Sequence, residues 1–255
     1  MNNTGFINEN NIVDVLHNKT ISELPEFWKK QLIRIFDVKN YNSIVCARVV
    51  GKNCKTDIEI RVNNKTIKVS IKTGEHNSIH HENVYDFIEF LRSIGVSART
   101  VRIILFYHFG DGTLNGTGTH RMDVSEIKVK YSKYIKEANE EINQIHIIEK
   151  VFYRCLIKGA NKYHQEIDYL YYGNDEFGYF VSVQELLNFA LNHRYMFLSG
   201  LHFGPLNYQP YKRKLRNQIY NHKDRYFTQI KWIGLLSDIQ KIKYITNKCK
   251  NDKNL

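Results

Sequence analysis

The stretch TDIEIRVNNKTIKVSIKTG, from Thr56 to Gly74, has the pattern of two short strands joined by a tight turn. Polar and apolar residues alternate on both sides of Asn63-Asn64, a pair that tolerates the left-handed backbone of a two-residue hairpin turn. Such a turn fixes which residues of the two strands oppose each other. The predicted pairs are Val62 with Lys65, Ile60 with Ile67, Ile58 with Val69, and Asp57 with Ser70. We therefore predict a β-hairpin over this stretch.

The two faces of this predicted hairpin differ in chemistry. Alternation places on one face the apolar residues Ile58, Ile60, Ile67, Val69 and Ile71. The other face carries Asp57, Glu59, Lys68, Ser70 and Lys72. Because opposed residues have Cβ atoms about 5 Å apart, Asp57 and Ser70 should meet, with Lys72 long enough to reach the same point. An amphipathic hairpin whose charged face is merely solvated would have the same pattern.

The sequence around the hairpin predicts further strands and helices. Residues 43–50 have the pattern of a third strand, and Ser78 is a candidate N-cap for a helix that runs to Leu91. Residues 1–20 are rich in Asn, and we expect them to be partly loose. The other predicted elements are helices over 22–36, 98–109 and 125–156, a hairpin over 163–182, a helix capped by Ser182, and a strand over 226–233. We predict an α/β fold from this order.

At Asp57 and at Ser70-Ile71-Lys72, the chain resembles the PD-(D/E)xK nuclease superfamily, and in particular its type II restriction endonucleases. In this resemblance Asp57 matches the metal-binding aspartate, and Lys72 matches the lysine that positions or activates the attacking water. Ser70 stands where the family usually has Asp or Glu, and Thr56 replaces the proline of the motif. The resemblance covers about residues 45–91. It implies a restriction-endonuclease-like core with a mixed central β-sheet flanked by helices.

The resemblance also implies a Mg²⁺ site that includes Asp57 and the Ile71 carbonyl. Because a hydroxyl is a weak, neutral ligand for a hard cation, we expect another carboxylate to complete the site beside Ser70. Glu59 lies two residues from Asp57 on the same face, about 7 Å away, and Glu82 follows on the next predicted helix. Glu75 is a further neighbour, and Glu23 or Glu26 could reach in from the upstream helix. The catalytic candidates are Asp57, Ser70, Lys72, Glu59 and Glu82, with Asp57, Ile71 and Glu59 as metal ligands.

Composition indicates an anionic partner and argues against several other functions. The chain has 255 residues and a net charge of +11, which favours nucleic acid first and a membrane surface second. A genome poor in GC would raise the Lys and Asn content in the same way. The scattered cysteines contain no C-x-x-C pair, and Phe109–Arg121 lacks the Gly-Lys-Ser/Thr end of a P-loop. No apolar run has transmembrane length, and the N-terminus does not resemble a signal peptide, so we expect a cytoplasmic protein.

The C-terminal region combines basic, aromatic and amide side chains over residues 195–240. Lysine and arginine suit phosphates, and amides suit base edges, so we predict a basic, β-rich region that contacts DNA. A hairpin with an aromatic core and a solvated basic face would have the same composition. The candidate DNA-binding residues are Asn207, Gln209, Lys212, Arg213, Lys214, Arg216, Arg225, Gln229 and Lys231.

Together these features predict one nuclease-like domain over residues 1–255, with its catalytic core at 40–110. The resemblance implies Mg²⁺-dependent cleavage of specific double-stranded DNA sites, with 5′-phosphate and 3′-hydroxyl products, no membrane partner, and a cognate DNA methyltransferase encoded nearby. Both homodimers and monomers occur among such enzymes. The alternative is a non-catalytic DNA-binding or defence-associated protein on a nuclease-like fold, which Ser70 favours.

Overall fold

The structure is a computed structural model that describes residues 4–51, 54–74, 78–118, 120–161, 165–193, 199–211 and 223–251. Within these residues the helices are α1 (Thr4–Leu16), α2 (Glu26–Phe36), α3 (Val84–Ser93), α4 (Ala98–Phe109), α5 (Val124–Lys130), α6 (Ser132–Ile142), α7 (Ile145–Phe152), α8 (Val183–Asn192) and α9 (Leu235–Asn251). The strands are β1 (Lys19–Thr20), β2 (Ile44–Val49), β3 (Ile58–Val62), β4 (Lys65–Lys72), β5 (Ser78–Asn83), β6 (Tyr169–Gly173), β7 (Gly178–Ser182), β8 (His202–Phe203), β9 (Leu206–Pro210) and β10 (Phe227–Trp232). No helix among the described residues combines the length and the apolar character needed to cross a membrane.

The chain divides into two compact units. The first contains Met1–Glu75, Ile157–Leu186 and Gly234–Leu255, and the second contains His76–Leu156 and Leu187–Ile233. Each unit has its own sheet. The prediction of a single domain over residues 1–255 stays a prediction, and the two units are described separately below.

The first unit is built on a six-stranded sheet in the order β1-β2-β3-β4-β6-β7. Its neighbouring strands are antiparallel except for β4 and β6, which run parallel. The sheet is therefore mixed, and the predicted α/β class with a mixed central sheet is confirmed. A buried cluster covers one of its faces, where Ile12 and Leu16 of α1 and Trp28 and Leu32 of α2 pack with the inward residues of the sheet.

The hairpin of β3 and β4 has the predicted register. Ile58 opposes Val69, and Val62 opposes Lys65, across a turn in which Asn63 has a φ of 53°. The five apolar residues assigned to the inner face are all buried: Ile58, Ile60, Ile67, Val69 and Ile71. Burial of this row fixes the register, since a slip of one residue would expose it.

Residues 4–16 form helix α1, although residues 1–20 were expected to be partly loose. Helix α1 buries Asn8, Ile12 and Leu16, which recur every four residues along one face. The side-chain amide of Asn8 donates to the Gly173 carbonyl at 3.0 Å. Because the polar residue Asn8 occupies one of the inward positions, the apolar periodicity of a helix is weak in this Asn-rich segment.

The upstream helix is shorter than predicted. Residues 22–36 were expected to form a single helix, but α2 begins at Glu26 after a separate 3₁₀ turn at Ile21–Glu23. The Thr20 hydroxyl donates to the Glu23 carboxylate at 2.7 Å and closes that turn. Pro25 then precedes the first helical residue.

The second unit contains a four-stranded antiparallel sheet in the order β5-β10-β9-β8. The prediction that Ser78 caps a helix is wrong, because Ser78 begins β5 and α3 starts only at Val84. Asn83 is the actual N-cap, and its side chain accepts from the Tyr85 amide at 2.9 Å. Strand β5 forms because its backbone pairs with β10, a segment roughly 150 residues further along the chain.

The remaining predictions of secondary structure agree with the structure in type. Helix α4 and the hairpin of β6 and β7 were expected, and Ser182 caps α8 through reciprocal hydrogen bonds with Glu185 of 2.8 and 3.2 Å. The single or double helix predicted over 125–156 is three helices, α5 to α7, followed by a π-helical turn at Tyr153–Lys158.

Candidate active site

The Asp57 carboxylate lies at the entrance to β3, where the hairpin ladder continues one residue beyond the strand. The Asp57 amide donates to the Val69 carbonyl at 2.9 Å, and the Asp57 carbonyl accepts from the Val50 amide at 2.9 Å. Its Oδ2 atom accepts from the Ser70 hydroxyl at 3.0 Å and from the Ile71 amide at 2.5 Å. These two donors hold the carboxylate in one orientation, as a preorganised ligand requires.

Lys72 extends to the same point from β4. Its Nζ atom donates to the Ile71 carbonyl at 3.0 Å and lies 3.8 Å from Oδ2 of Asp57. Both side chains are 22% exposed, so the ammonium and the carboxylate remain accessible from solvent. The structure therefore brings together Asp57, Ser70 and Lys72, as the hairpin ladder predicted, and the main chain of Ile71 contacts both charged side chains.

Glu9 of α1 is a further acidic residue at this site, which the sequence analysis missed. The pKa of the Glu9 carboxyl is raised to about 7, mainly by burial and also by the negative charge of Asp57, while Lys72 opposes the rise. Helix α1 contacts β4, the strand that carries Lys72, so Glu9 lies on an element that packs against the hairpin. A second carboxylate is thus available beside the hairpin, and a divalent cation would offset the negative charge of both carboxylates. The only signal in the sequence was the spacing of Asn8, Ile12 and Leu16 along α1.

The other glutamates predicted near this site have different partners. Arg48 engages the Glu59 carboxylate through its Nε and Nη2 atoms, at 2.8 and 2.6 Å. Glu23 caps the 3₁₀ turn beside Thr20, and Glu26 forms ion pairs with Lys29 and Lys30. Glu59 would have to leave Arg48 before it could bind a metal, whereas Glu9 forms no ion pair with any residue that the structure describes.

Glu82 belongs to the second unit, on β5 and not on the predicted helix. Its carboxylate is buried and accepts from Arg154 at 2.6 and 3.1 Å, and it lies 2.8 Å from the His80 ring. Burial alone would raise the pKa of Glu82, but hydrogen bonds from His80 and Arg154 outweigh it and lower the pKa. Glu82 therefore belongs to a buried ion cluster with His80 and Arg154, and its role in that cluster is structural. Glu75 lies outside the described residues.

The oxygen donors of the hairpin site suit a hard divalent cation. Mg²⁺ prefers carboxylate and carbonyl oxygens, and Asp57, Glu9 and the Ile71 carbonyl are of these types. Within the described ranges, no three His, Cys, Asp or Glu side chains stand close enough to hold a metal ion by themselves. A cation here would therefore need the main-chain carbonyl and water in addition to the carboxylates.

Four of the predicted DNA-binding residues form two opposed pairs on one face of the second sheet. Gln229 of β10 opposes Gln209 of β9, and Lys231 opposes Asn207. All four are half-buried and alternate with buried neighbours along their strands, so they project to the same side. The Gln229 amide also donates to the Ser78 hydroxyl at 2.9 Å.

Aromatic rings continue this face. His81 of β5 opposes Gln229, and its ring stacks on Phe227 at 5.0 Å between centroids and meets the Tyr211 ring edge-on at 4.4 Å. Amides, one lysine and aromatic rings thus occupy one surface. We call this set the amide face: Asn207, Gln209, Gln229, Lys231 and His81.

Arg225, which was also predicted to contact DNA, does not share this face. It lies in a 3₁₀ turn before β10, is buried, and forms an ion pair with Asp111. It also donates to the Gly118 carbonyl at 3.3 Å. Through these two contacts Arg225 stabilises the glycine-rich segment 110–118, which follows α4. The predicted DNA contacts Lys212, Arg213, Lys214 and Arg216 lie outside the described residues.

Comparison with known proteins gives one informative similarity. No protein-family model and no curated protein sequence matches the chain. Among solved structures, restriction endonuclease MspI in complex with its cognate DNA is similar, with a TM-score of 0.52 and 15% sequence identity. The similarity covers 88% of this chain and 87% of that chain. The protein therefore has a restriction-endonuclease-like fold, a mixed central sheet flanked by helices.

Proposed function

We propose that this protein is a type II restriction endonuclease of the PD-(D/E)xK kind, which cleaves specific sites in double-stranded DNA with the help of Mg²⁺. The observation that carries the proposal is the position of Lys72, 3.8 Å from the Asp57 carboxylate at the end of a hairpin within a restriction-endonuclease-like fold. A merely solvated hairpin face would not require a hydroxyl and a backbone amide to donate to the same aspartate oxygen.

The residues of the site divide the work of phosphodiester hydrolysis. A bound Mg²⁺ would supply positive charge to the scissile phosphate and lower the pKa of the attacking water. Asp57, whose carboxylate is oriented by Ser70 and Ile71, would bind the cation, and Glu9 would contribute a second carboxylate. The Lys72 ammonium stabilises the charge that develops on the phosphate oxygens and orients the water. The products are a 5′-phosphate and a 3′-hydroxyl.

Ser70 has a supporting role in this scheme. Its hydroxyl donates to the Asp57 carboxylate and so fixes the orientation of that side chain. Ser70 does not supply the negative charge that an Asp or Glu would bring at this position. With Ser70 neutral, the negative charge that the motif usually carries at this position comes from Glu9 of α1. The distribution of charge is then similar, although the residues come from different elements.

The amide face is the proposed base-reading surface. Amide side chains can donate to and accept from base edges in the major groove, and Lys231 can contact guanine or phosphate. The DNA-bound state of restriction endonuclease MspI and the net charge of +11 support DNA as the partner. We further propose a cytoplasmic enzyme, as a monomer or homodimer, whose host DNA is protected by a cognate methyltransferase.

A non-catalytic DNA-binding protein is the second candidate, and Ser70 favours it. Loss of the second motif carboxylate is a change expected of an inactivated site, and the described part of the chain contains no ready-made cluster of three acidic or imidazole ligands. Such a protein would bind DNA equally well in EDTA and would be indifferent to changes at Asp57 and Lys72.

Digestion of plasmid and phage DNA by the purified protein separates the two functions. We expect discrete fragments with Mg²⁺ and none with EDTA. Lys72→Ala should lower the cleavage rate by about 100- to 1,000-fold, because a preorganised charge donor is lost. The matched control is Lys68→Ala, which removes a lysine from the same face of β4 and should leave the fragment pattern and rate unchanged. Intact DNA under all conditions, with a retained gel shift, would identify a binding protein.

A further inference from the structure

A cavity of about 390 Å³ lies in the second unit between α4 and α6. Helix α4 contributes Arg102 and Phe106, the junction before α6 contributes Tyr131, and α6 itself contributes Tyr134. Its size falls in the lower part of the range of small-molecule sites, which is about 300–1,000 Å³. None of the residues proposed for cleavage or base reading lines it.

The walls of this cavity are aromatic. The Tyr131 and Tyr134 rings lie 6.3 Å apart at an angle of 48°, and the Tyr134 side chain is 47% exposed. The Lys130 ammonium sits 5.6 Å from the centre of the Tyr131 ring. The exposed Tyr134 ring offers a face on which a flat heterocycle can stack.

The rim of the cavity carries uncompensated positive charge. Arg99 is paired with Glu137, with one contact of 2.9 Å. Arg102 is exposed and, among the residues that the structure describes, has no hydrogen-bond or ion-pair partner. A ligand that joins an aromatic ring to an anionic group would therefore match both the walls and the rim.

We propose that this cavity binds a nucleotide, with its base against Tyr131, Tyr134 and Phe106 and its phosphate at Arg102. A hydrocarbon ligand would make no use of the Arg102 charge, and inorganic phosphate would leave the aromatic walls uncovered. A free mononucleotide and a nucleotide within a DNA strand share this chemistry. The site is independent of the proposed cleavage reaction, since it uses none of the same residues.

Isothermal titration calorimetry of the full chain with deoxyadenosine monophosphate tests the proposal. Tyr134→Ala should weaken binding by about 5-fold or more, as expected for a lost stacking platform. Arg102→Ala should weaken it by about 2- to 5-fold, as expected for an exposed ion pair. The matched control is Lys136→Ala, an exposed cation on α6 that does not line the cavity, and its affinity should equal that of the unmodified protein.

Additional probes identify the source of the ligand. Deoxyadenosine and inorganic phosphate should each bind more weakly than the monophosphate. If a single-stranded oligonucleotide binds and the monophosphate does not, and Tyr134→Ala still weakens binding, the site takes a nucleotide of a DNA strand. No binding of either probe, or equal binding by Tyr134→Ala and the unmodified protein, overturns the proposal. Asp57→Asn should bind the monophosphate normally, so failure to cleave DNA leaves this result intact.

Discussion

Replacing Glu82 by Gln tests whether this residue supports the fold or the chemistry. Its carboxylate is the shared partner of Arg154 and His80, with contacts of 2.6, 2.8 and 3.1 Å, and its side chain is 6% exposed. Breaking a buried ion pair costs about 3–5 kcal/mol. Arg154 is 19% exposed and keeps part of its hydration, so we expect the lower end, about 3 kcal/mol. For a chain of this size, that loss lowers the Tm by about 6–12 °C.

Thermal unfolding by circular dichroism provides the measurement, with cleavage rates taken at a temperature where the variant is folded. We expect a lower Tm together with a cleavage rate within a few-fold of the unmodified protein. The control is Glu89→Gln, an exposed glutamate of α3 that should change neither quantity. A loss of cleavage of about 100-fold with an unchanged Tm would refute the structural role and would place Glu82 in the active site.

Three further predictions concern the metal site, the amide face and a buried histidine. Glu9→Gln should weaken Mg²⁺ binding measured by calorimetry by about tenfold or more, because one anionic ligand is lost. Gln229→Ala should relax base preference at one position of the DNA site and weaken DNA binding there by about 1–3 kcal/mol. Lys231→Ala should instead reduce the slope of log affinity against log salt concentration by about 1. Burial lowers the pKa of the His202 imidazole below its usual 6.5. The stability that the neutral ring contributes should therefore be fully present above pH 6.5 and should be lost as the pH falls toward the lowered pKa. His202→Gln should remove this part of the pH dependence of the free energy of unfolding, measured by urea titration.

The hairpin was predictable because its determinants are local. The alternation of residues 56–74, and the turn residues at its centre, fix both the register and the meeting of Asp57 with Lys72. Strand β5 was not predictable in the same way, because its conformation depends on pairing with β10 far along the chain. Without that partner, residues 78–83 have a local pattern that favours a helix start.

Glu9 and Arg225 show why site residues are harder to predict than strands. The spacing of Asn8, Ile12 and Leu16 indicates a helix, but whether Glu9 lies near Asp57 depends on how α1 packs on the sheet, which that spacing does not predict. Arg225 has the sequence context of a DNA contact, yet it forms an ion pair with the buried Asp111 side chain. In both cases the decisive neighbour is more than 45 positions away, so composition and spacing carry little information about it.

The pairing of β5 with β10 also has a consequence for synthesis of the protein. The second unit cannot complete its sheet until residue 232 has left the ribosome, and the first unit awaits Gly234–Leu255. Contacts between such distant segments slow folding, because a long loop must close before they form. A nascent chain that stops before β10 therefore exposes an unpaired β5 edge, and premature termination even near the C-terminus should yield an aggregation-prone product in place of a shortened enzyme.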